Sequence, residues 1–161
     1  DVVRFYMLIR KNDAHIDFDM KRCLEESKEN PVFYIQYVIA RVNSLNKYFE
    51  EKKLKPIDFN KKLFDRFNEN EIVLLKILSL WPRVIESAVI YKEPHRVVYY
   101  LIDIAGAFHN YWSKGNLDAN MRVINEGDAE LTVARLTLLN SISKVIKLGL
   151  DVLAIKPVEK M

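Results

Sequence analysis

The stretch from Glu29 to Phe49 constrains the fold most, because after Pro31 it runs for about five helical turns without a Gly or Pro. Asn30 can cap this helix, and Pro31 suits the first helical position, where its missing N–H costs nothing. At about 100° per residue, one apolar stripe follows the helix. It consists of Ile35, Val38, Val42, Leu45 and Phe49. The pattern predicts a long helix with this stripe in the core.

A second stripe, roughly a quarter-turn away, carries aromatic, polar and cationic side chains: Tyr34, Tyr37, Arg41, Ser44 and Tyr48. Three other polar residues of the helix are expected to point towards water: Gln36, Asn43 and Lys47. Tyr34, Tyr37 and Arg41 follow i, i+3, i+7 spacing and therefore line up over two turns. They could stack and hydrogen-bond a nucleobase, or the tyrosines could be half-buried core with Arg41 paired to an acid. The spacing alone leaves both explanations open.

Helical patterns separated by polar or Pro-containing breaks occupy the rest of the chain. The first predicted helices cover about 2–9, a segment capped by Asp17 or Asp19 up to Lys28, and 60–67 with Asp58 as its cap. The next two cover 71–80 and a segment up to Tyr91, which Pro82 either kinks or starts. The last two run from after Pro94 through Trp112 and from Asp128 to near Gly149. No segment shows sustained strand alternation. We predict an all-α bundle of about six to eight helices, in which residues 113–128 form a long loop.

Composition limits the possible functions. The 161 residues are most simply one domain, 1–161, with a sizeable core. The net charge of +3 permits an anionic partner without requiring one. Apolar runs are shorter than the ~18–20 residues of a membrane span, so no membrane partner is expected. The lone Cys23, interpreted as a packing residue, excludes an internal disulfide and is compatible with a cytoplasmic setting.

The sequence contains no recognisable catalytic or metal-binding motif. Gly-rich phosphate loops, G-x-S-x-G and H-E-x-x-H are all missing. His15, His95 and His109 lack metal-ligand spacing, and His95 and His109 are interpreted as hydrogen-bonded packing residues. The basic run at 52–55 could meet phosphate or simply be solvated. We therefore predict a binding function, with no catalytic or metal-ligating residue in this chain.

Four blocks of the sequence together resemble the C-terminal, DALR-type anticodon-binding domain of arginyl-tRNA synthetase, a class I aminoacyl-tRNA synthetase. They are Arg10–Asp19, Glu29–Arg41, Glu93–Leu101 with its continuation Ala105–Tyr111, and finally Arg135-Leu136, Gly149-Leu150 and Pro157–Met161. The resemblance covers essentially the whole chain. Ile39 departs from it, because the family usually has His there. The opening Asp1–Arg4 matches only loosely, and Lys160 replaces a common Arg.

This resemblance implies a helical tRNA-binding module, the C-terminal fragment of a longer ligase chain that attaches arginine to its tRNA. ATP, Mg and arginine would be held by the catalytic domain, which is missing here, so no cofactor is expected in this fragment. The implied partners are the anticodon stem-loop of arginine tRNA and the protein's own catalytic domain. All arginine codons have G in the middle, which makes the middle C of the anticodon a sensible determinant.

By family position, five residues are implied to contact the tRNA: Tyr34, Tyr37, Arg41, Tyr111 and Met161. The tyrosines would provide stacking and edge contacts, Arg41 a donor to base or phosphate, and Met161 an apolar contact or a carboxylate anchor. Asn30 and Gln36 are weaker candidates. The alternative is a helical protein–protein interaction domain that uses the same Tyr/Arg surface, since both residue types are favoured at interfaces. A catalytic domain of unknown type is disfavoured by the missing motifs.

Overall fold

The computed structural model describes residues 1–11, 14–15, 25, 30–51, 61–125 and 127–158. It contains α1 (Val2–Leu8), α2 (Pro31–Glu51), α3 (Glu69–Ser79), α4 (Trp81–Tyr91), α5 (His95–Leu117) and α6 (Ala129–Val152), with 3-10 helices at Lys61–Arg66 and Ala119–Met121. No strand occurs among these residues, and the predicted all-α bundle is confirmed. The predictions at residues 16–24, 26–29 and 52–60 lie outside the described residues, including those for Cys23 and Asp58.

Local hydrogen bonds explain where the helices begin. Asn30 Oδ1 accepts from the Val32 N–H at 3.1 Å, which confirms the predicted cap of α2. Asn68 caps α3, and Glu71 Oε2 accepts in return from the Asn68 N–H at 2.7 Å. This capping box starts α3 two residues earlier than predicted. Pro82 lies in the first turn of α4, so it starts a new helix rather than kinking the previous one.

The core forms where α2, α5 and α6 pack together. Ile35 and Val38 of the predicted apolar stripe are fully buried, and Leu45 is partly buried against the same cluster. Gly149, predicted to end the last helix, lies inside α6, which continues to Val152. A Cβ at Gly149 would lie only 2.6 Å from Leu101 Cδ2, so this glycine permits a close helix approach.

The predicted long loop at 113–128 is wrong in its first part. α5 continues to Leu117, and Gly115 is a buried residue of this helix. A Cβ at Gly115 would lie 3.2 Å from the Met121 carbonyl oxygen. Gly115 therefore lets the following segment fold back against α5 without ending the helix.

Gln36 also differs from its prediction, because it is buried rather than pointing towards water. After α6, the chain turns through Ala154 in the left-handed region (φ 54°) and passes over the start of α2. Gln36 Nε2 donates to the Lys156 carbonyl at 3.3 Å, and the Lys156 N–H donates to Asp1 Oδ2 at 3.0 Å. A segment distant in sequence thus covers Gln36. Within the described ranges, no helix is long and apolar enough to span a bilayer.

Candidate nucleic-acid interface

A cleft of about 820 Å³ runs between α2, the last turns of α5 and the segment that follows α5. Its lining includes Tyr37, Arg41, Tyr48, Trp112, Asn116 and Arg122. Two arginines supply its charge, and no Asp or Glu is among its described lining residues. A groove that combines positive charge with aromatic rings is typical of single-stranded nucleic-acid binding.

Arg41 lies at the centre of the predicted stripe, between two aromatic rings. Its guanidinium carbon is 4.4 Å from the Tyr37 ring centroid and 4.7 Å from that of Trp112. Its Nη2 donates to the Tyr37 hydroxyl at 3.2 Å. No carboxylate of the described residues forms an ion pair with Arg41, in contrast to the core explanation of the stripe. The rings orient the planar donor group without neutralising it.

His109 aligns the two tyrosines from the neighbouring helix. Its Nε2 lies 2.9 Å from the Tyr34 carbonyl oxygen. Because a carbonyl oxygen can only accept, we assign the ring proton to Nε2. Its ring is stacked with Tyr37 at a centroid distance of 5.9 Å, and Tyr34 lies on it at 4.4 Å. His109 is thus a hydrogen-bonded packing residue, as predicted. Tyr34 is half-buried against it, whereas Tyr37 is more exposed and lines the cleft.

Tyr111 belongs to the floor of the cleft. Only 3% of it is exposed, and its hydroxyl donates to Glu71 Oε1 at 2.9 Å. Burial, together with the Glu71 charge, raises the pKa of the Tyr111 phenol above its ordinary value, so the hydroxyl stays protonated at neutral pH. Its direct contact with a ligand stays a prediction, and its position assigns it at least a supporting role.

A buried ion pair lies beneath the cleft. Arg135 Nε donates to Glu71 Oε1 at 2.7 Å, and the two side chains are 3% and 0% exposed. Arg135 Nη1 also donates to the backbone carbonyls of Asn120 at 2.8 Å and Arg122 at 2.6 Å. One guanidinium therefore connects the helices with the segment that forms the far wall of the cleft.

The residues of α2 in this site were predicted from the sequence, whereas Trp112 and Arg122 were not. Of the five predicted residues, Tyr37, Arg41 and Tyr111 line the cleft, Tyr34 is not among its lining residues, and Met161 lies outside the described residues. Contact of these residues with a tRNA stays a prediction. Trp112 was not among the predicted contacts, because this half-buried tryptophan has the helical spacing of a core residue. Arg122 lies in the predicted loop, and no local pattern distinguishes it from any solvated arginine. Among the described residues, no group of His, Cys, Asp and Glu could hold a metal ion.

Position 39, where the family that the sequence resembles usually has His, is not among the residues that line this cleft. Ile39 is fully buried in the core, so in this chain the position serves packing.

Comparison with known proteins gives one family match and many similar sequences. The model of the family described as DALR anticodon binding domain matches residues 35–161. An arginine–tRNA ligase of Bartonella henselae is 42% identical over 165 residues, covering all of this chain and 28% of that protein. The corresponding ligase of Ehrlichia chaffeensis is 43% identical over 162 residues, with 100% and 27% coverage. The chain thus spans less than a third of the length of these curated relatives.

Solved structures share the fold. Arginyl-tRNA synthetase from Thermus thermophilus superposes with a TM-score of 0.74 at 22% identity, over 99% of this chain and 26% of that one. The enzyme from Plasmodium falciparum gives a TM-score of 0.78 at 19% identity, with 99% and 26% coverage. At these identities the likeness concerns the fold alone.

Proposed function

The chain belongs to the DALR anticodon binding domain family, and on this premise we propose that its cleft binds the anticodon loop of a tRNA. One observation carries the proposal: Arg41 lies between the rings of Tyr37 and Trp112, in a cleft with a second arginine and no acidic side chain among its described lining residues. An unpaired base needs a flat face for stacking and fixed donors for its edge. This constellation offers both.

The residues in and around the cleft have different proposed roles, according to their positions. Tyr37 or Trp112 stacks on a base, a contact worth roughly 1–3 kcal/mol per base. Arg41 presents its donors to a base carbonyl or a phosphate, and Arg122 meets a phosphate from the opposite wall. Tyr34 packs against His109 beside the cleft, and its contact with the tRNA stays the prediction that the resemblance implies. Tyr111 supports the floor. Met161 retains the apolar or carboxylate contact that the resemblance implies.

We further propose that the domain works within an arginine–tRNA ligase. The support is the sequence identity of about two fifths with such ligases along the whole of this chain. In that setting the domain contributes tRNA recognition, while ATP, Mg and arginine bind to a catalytic domain elsewhere in the protein. The middle C of the anticodon is the base that the cleft reads. The protein's own catalytic domain is then its second partner, and the cytoplasm its location.

The test compares the affinity of the intact protein for an anticodon stem-loop hairpin of arginine tRNA and for the same hairpin with its middle C changed. We expect about a tenfold or greater preference for the natural loop, since one mismatched base contact costs about 1–3 kcal/mol. Affinity for the natural loop should also fall steeply with salt, because phosphate contacts release counterions. Equal affinity for both hairpins would contradict base reading, and a salt-independent affinity would favour the protein–protein alternative.

A second test uses charging of the tRNA. Arg41→Ala should strongly lower aminoacylation efficiency while leaving the use of ATP and arginine nearly unchanged, because Arg41 belongs to the recognition surface only. Lys47→Ala is the matched control, since Lys47 is an exposed cation on the same helix outside the cleft lining. Normal charging by Arg41→Ala would contradict the assignment.

A further inference from the structure

We propose that Arg135 is a positioning residue of this interface, which sets the distance between the two walls of the cleft and the place of Arg122 without touching the ligand. The inference rests on the proposed nucleic-acid function of the cleft. Arg135 is suited to this role because its one guanidinium contacts the segment after α5 directly and is linked to Tyr111 of α5 through Glu71. Only 3% of its side chain is exposed.

The α5 side of the cleft is held through Glu71. Glu71 Oε1 accepts from Arg135 Nε at 2.7 Å and from the Tyr111 hydroxyl at 2.9 Å, and Tyr111 belongs to the cleft lining. Glu71 Oε2 meanwhile accepts from the Asn68 N–H at 2.7 Å at the start of α3. The carboxylate is therefore fixed from three directions, and it fixes the guanidinium in turn.

The second wall is held through the backbone. Arg135 Nη1 donates to the carbonyls of Asn120 and Arg122 at 2.8 and 2.6 Å. Both residues belong to the connection between α5 and α6, and Arg122 is one of the two arginines of the cleft. At Gly115, the same connection lies against the helix so closely that an added Cβ would meet the Met121 carbonyl at 3.2 Å. Contact with α5 and the Arg135 hydrogen bonds together determine where the Arg122 side chain leaves the backbone.

The shape of the guanidinium matters as well as its charge. Nε and Nη1 point in different fixed directions within one plane, so one group reaches the carboxylate and both carbonyls. A lysine ammonium keeps the charge opposite Glu71 but lacks this fixed fork. Arg135→Lys therefore preserves the buried charge pair with Glu71 but loses the fixed hydrogen bonds to the Asn120 and Arg122 carbonyls. Ligand contacts lose strength when their supporting residues leave them about 1 Å out of place.

The experiment is a double-mutant cycle in the intact protein, with the anticodon hairpin as probe. Arg122→Met should weaken binding about fivefold in the wild-type background and less than twofold in the Arg135→Lys background, because a misplaced Arg122 has little left to lose. Lys47→Met should have the same small effect in both backgrounds. Equal effects of Arg122→Met in the two backgrounds would show that Arg135 does not position Arg122 and would overturn the proposal.

A loss of folding is separated from a loss of positioning by a second variant. Glu71→Leu/Arg135→Met removes both buried charges together, which such sites tolerate much better than the loss of one. If this variant is folded, the effect of Arg122→Met should again be less than twofold, since neither carbonyl has its donor. A full fivefold effect would contradict the proposal.

Hydrogen exchange tests the same inference without RNA. The Met121 and Arg122 N–H groups donate to Asp118 and Ala119 carbonyls at 3.0 and 3.2 Å. In Arg135→Lys, we expect these amides to exchange at least about tenfold faster, while those of the first half of α2 keep their protection. Unchanged exchange would overturn the positioning role. Failure of wild type to bind the hairpin would instead remove the proposed function, and the exchange result would still decide the role of Arg135.

Discussion

Arg41 and Arg135 show two opposite uses of one residue type. Arg41 lies at the surface between the rings of Tyr37 and Trp112, and no acid of the described residues pairs with it. Arg135 lies in the core, bound to Glu71 and to two backbone carbonyls. The first side chain is oriented by contacts that leave its charge uncompensated. The second uses its donors within the protein.

This difference explains how the protein can hold the cleft in shape while the N–H groups of Arg41 stay available to a ligand. Cation–π contacts contribute only about 0.5–1 kcal/mol each at exposed sites, and they direct the guanidinium without saturating its N–H groups. A buried ion pair, in contrast, is sensitive to the loss of either partner, because the remaining charge stays buried. Substitutions at Arg41 should therefore affect binding, whereas substitutions at Arg135 should affect stability first.

The largest expected effect is that of Arg135→Met on folding. It leaves Glu71 buried without its cation, which should reduce the free energy of unfolding by about 3–5 kcal/mol. Urea denaturation followed by circular dichroism measures this loss. Arg122→Met, an exposed change in the same cleft, should stay within about 0.5 kcal/mol of wild type. A loss below about 1 kcal/mol for Arg135→Met would mean that the pair adds little to the fold.

Arg41→Lys should give the reverse pattern. It keeps the positive charge but loses the planar fork between Tyr37 and Trp112, so affinity for the anticodon hairpin should fall about tenfold. The free energy of unfolding should change by less than about 1 kcal/mol, because the side chain is partly exposed. Fluorescence anisotropy gives the affinity, and Lys47→Arg on the same helix serves as the control. Wild-type affinity of Arg41→Lys would show that charge alone suffices.

The helical pattern predicted most of the fold because α2, α5 and α6 are long and amphipathic. It was wrong where distant contacts decided the outcome. A loop was predicted around Gly115 and a helix end near Gly149, yet both glycines lie inside helices and allow a close approach that only the folded chain shows. Gln36 was predicted to point towards water because it is polar, but the segment after α6 covers it and supplies the Lys156 carbonyl as an acceptor.

The candidate site was predictable to the extent that it lies on one helix. Tyr37 and Arg41 share a face of α2, so their spacing brings them together. The second ring, Trp112, comes from α5 and has the spacing of a core residue. Glu71 and Arg135 meet across 64 positions of sequence, a pairing that periodicity cannot indicate. Resemblance to a family implied the proposed ligand, and the folded structure shows the network of Glu71 and Arg135 that supports the cleft.

Two tyrosine-to-phenylalanine changes sharpen the comparison. Tyr111→Phe removes one hydrogen bond to Glu71 and should cost about 0.5–1.5 kcal/mol of stability, with hairpin affinity nearly unchanged. Tyr37→Phe removes the oxygen that accepts from Arg41 and should weaken binding by about two- to twelvefold, since a net hydrogen bond is worth about 0.5–1.5 kcal/mol. Its stability should stay close to wild type. A Tyr111→Phe variant that loses affinity at unchanged stability would instead support a direct contact of this hydroxyl with the ligand.

The smallest effect concerns an ion pair at the surface, which extends the comparison to a third arginine. Asp128 caps α6 by accepting from the Leu131 N–H at 3.0 Å, and Arg66 binds the same carboxylate. The Leu131 hydrogen bond, followed by Arg66, lowers the pKa of Asp128 below its ordinary value. Since the folded-state pKa is the lower one, this stabilisation is present above the unfolded-state pKa of about 4 and is lost as pH falls through the folded-state value.

Asp128→Asn isolates this contribution, because asparagine still caps the helix but does not titrate. We expect wild type to lose slightly more thermal stability than Asp128→Asn when the pH falls from 6 to below about 3. Melting temperatures across this range, measured at low and high salt, provide the test. The difference should shrink with salt, because the Arg66 pair is exposed and screened, unlike that of Arg135. Identical acid profiles for the two proteins would show that the Asp128 charge adds nothing to the fold beyond the cap.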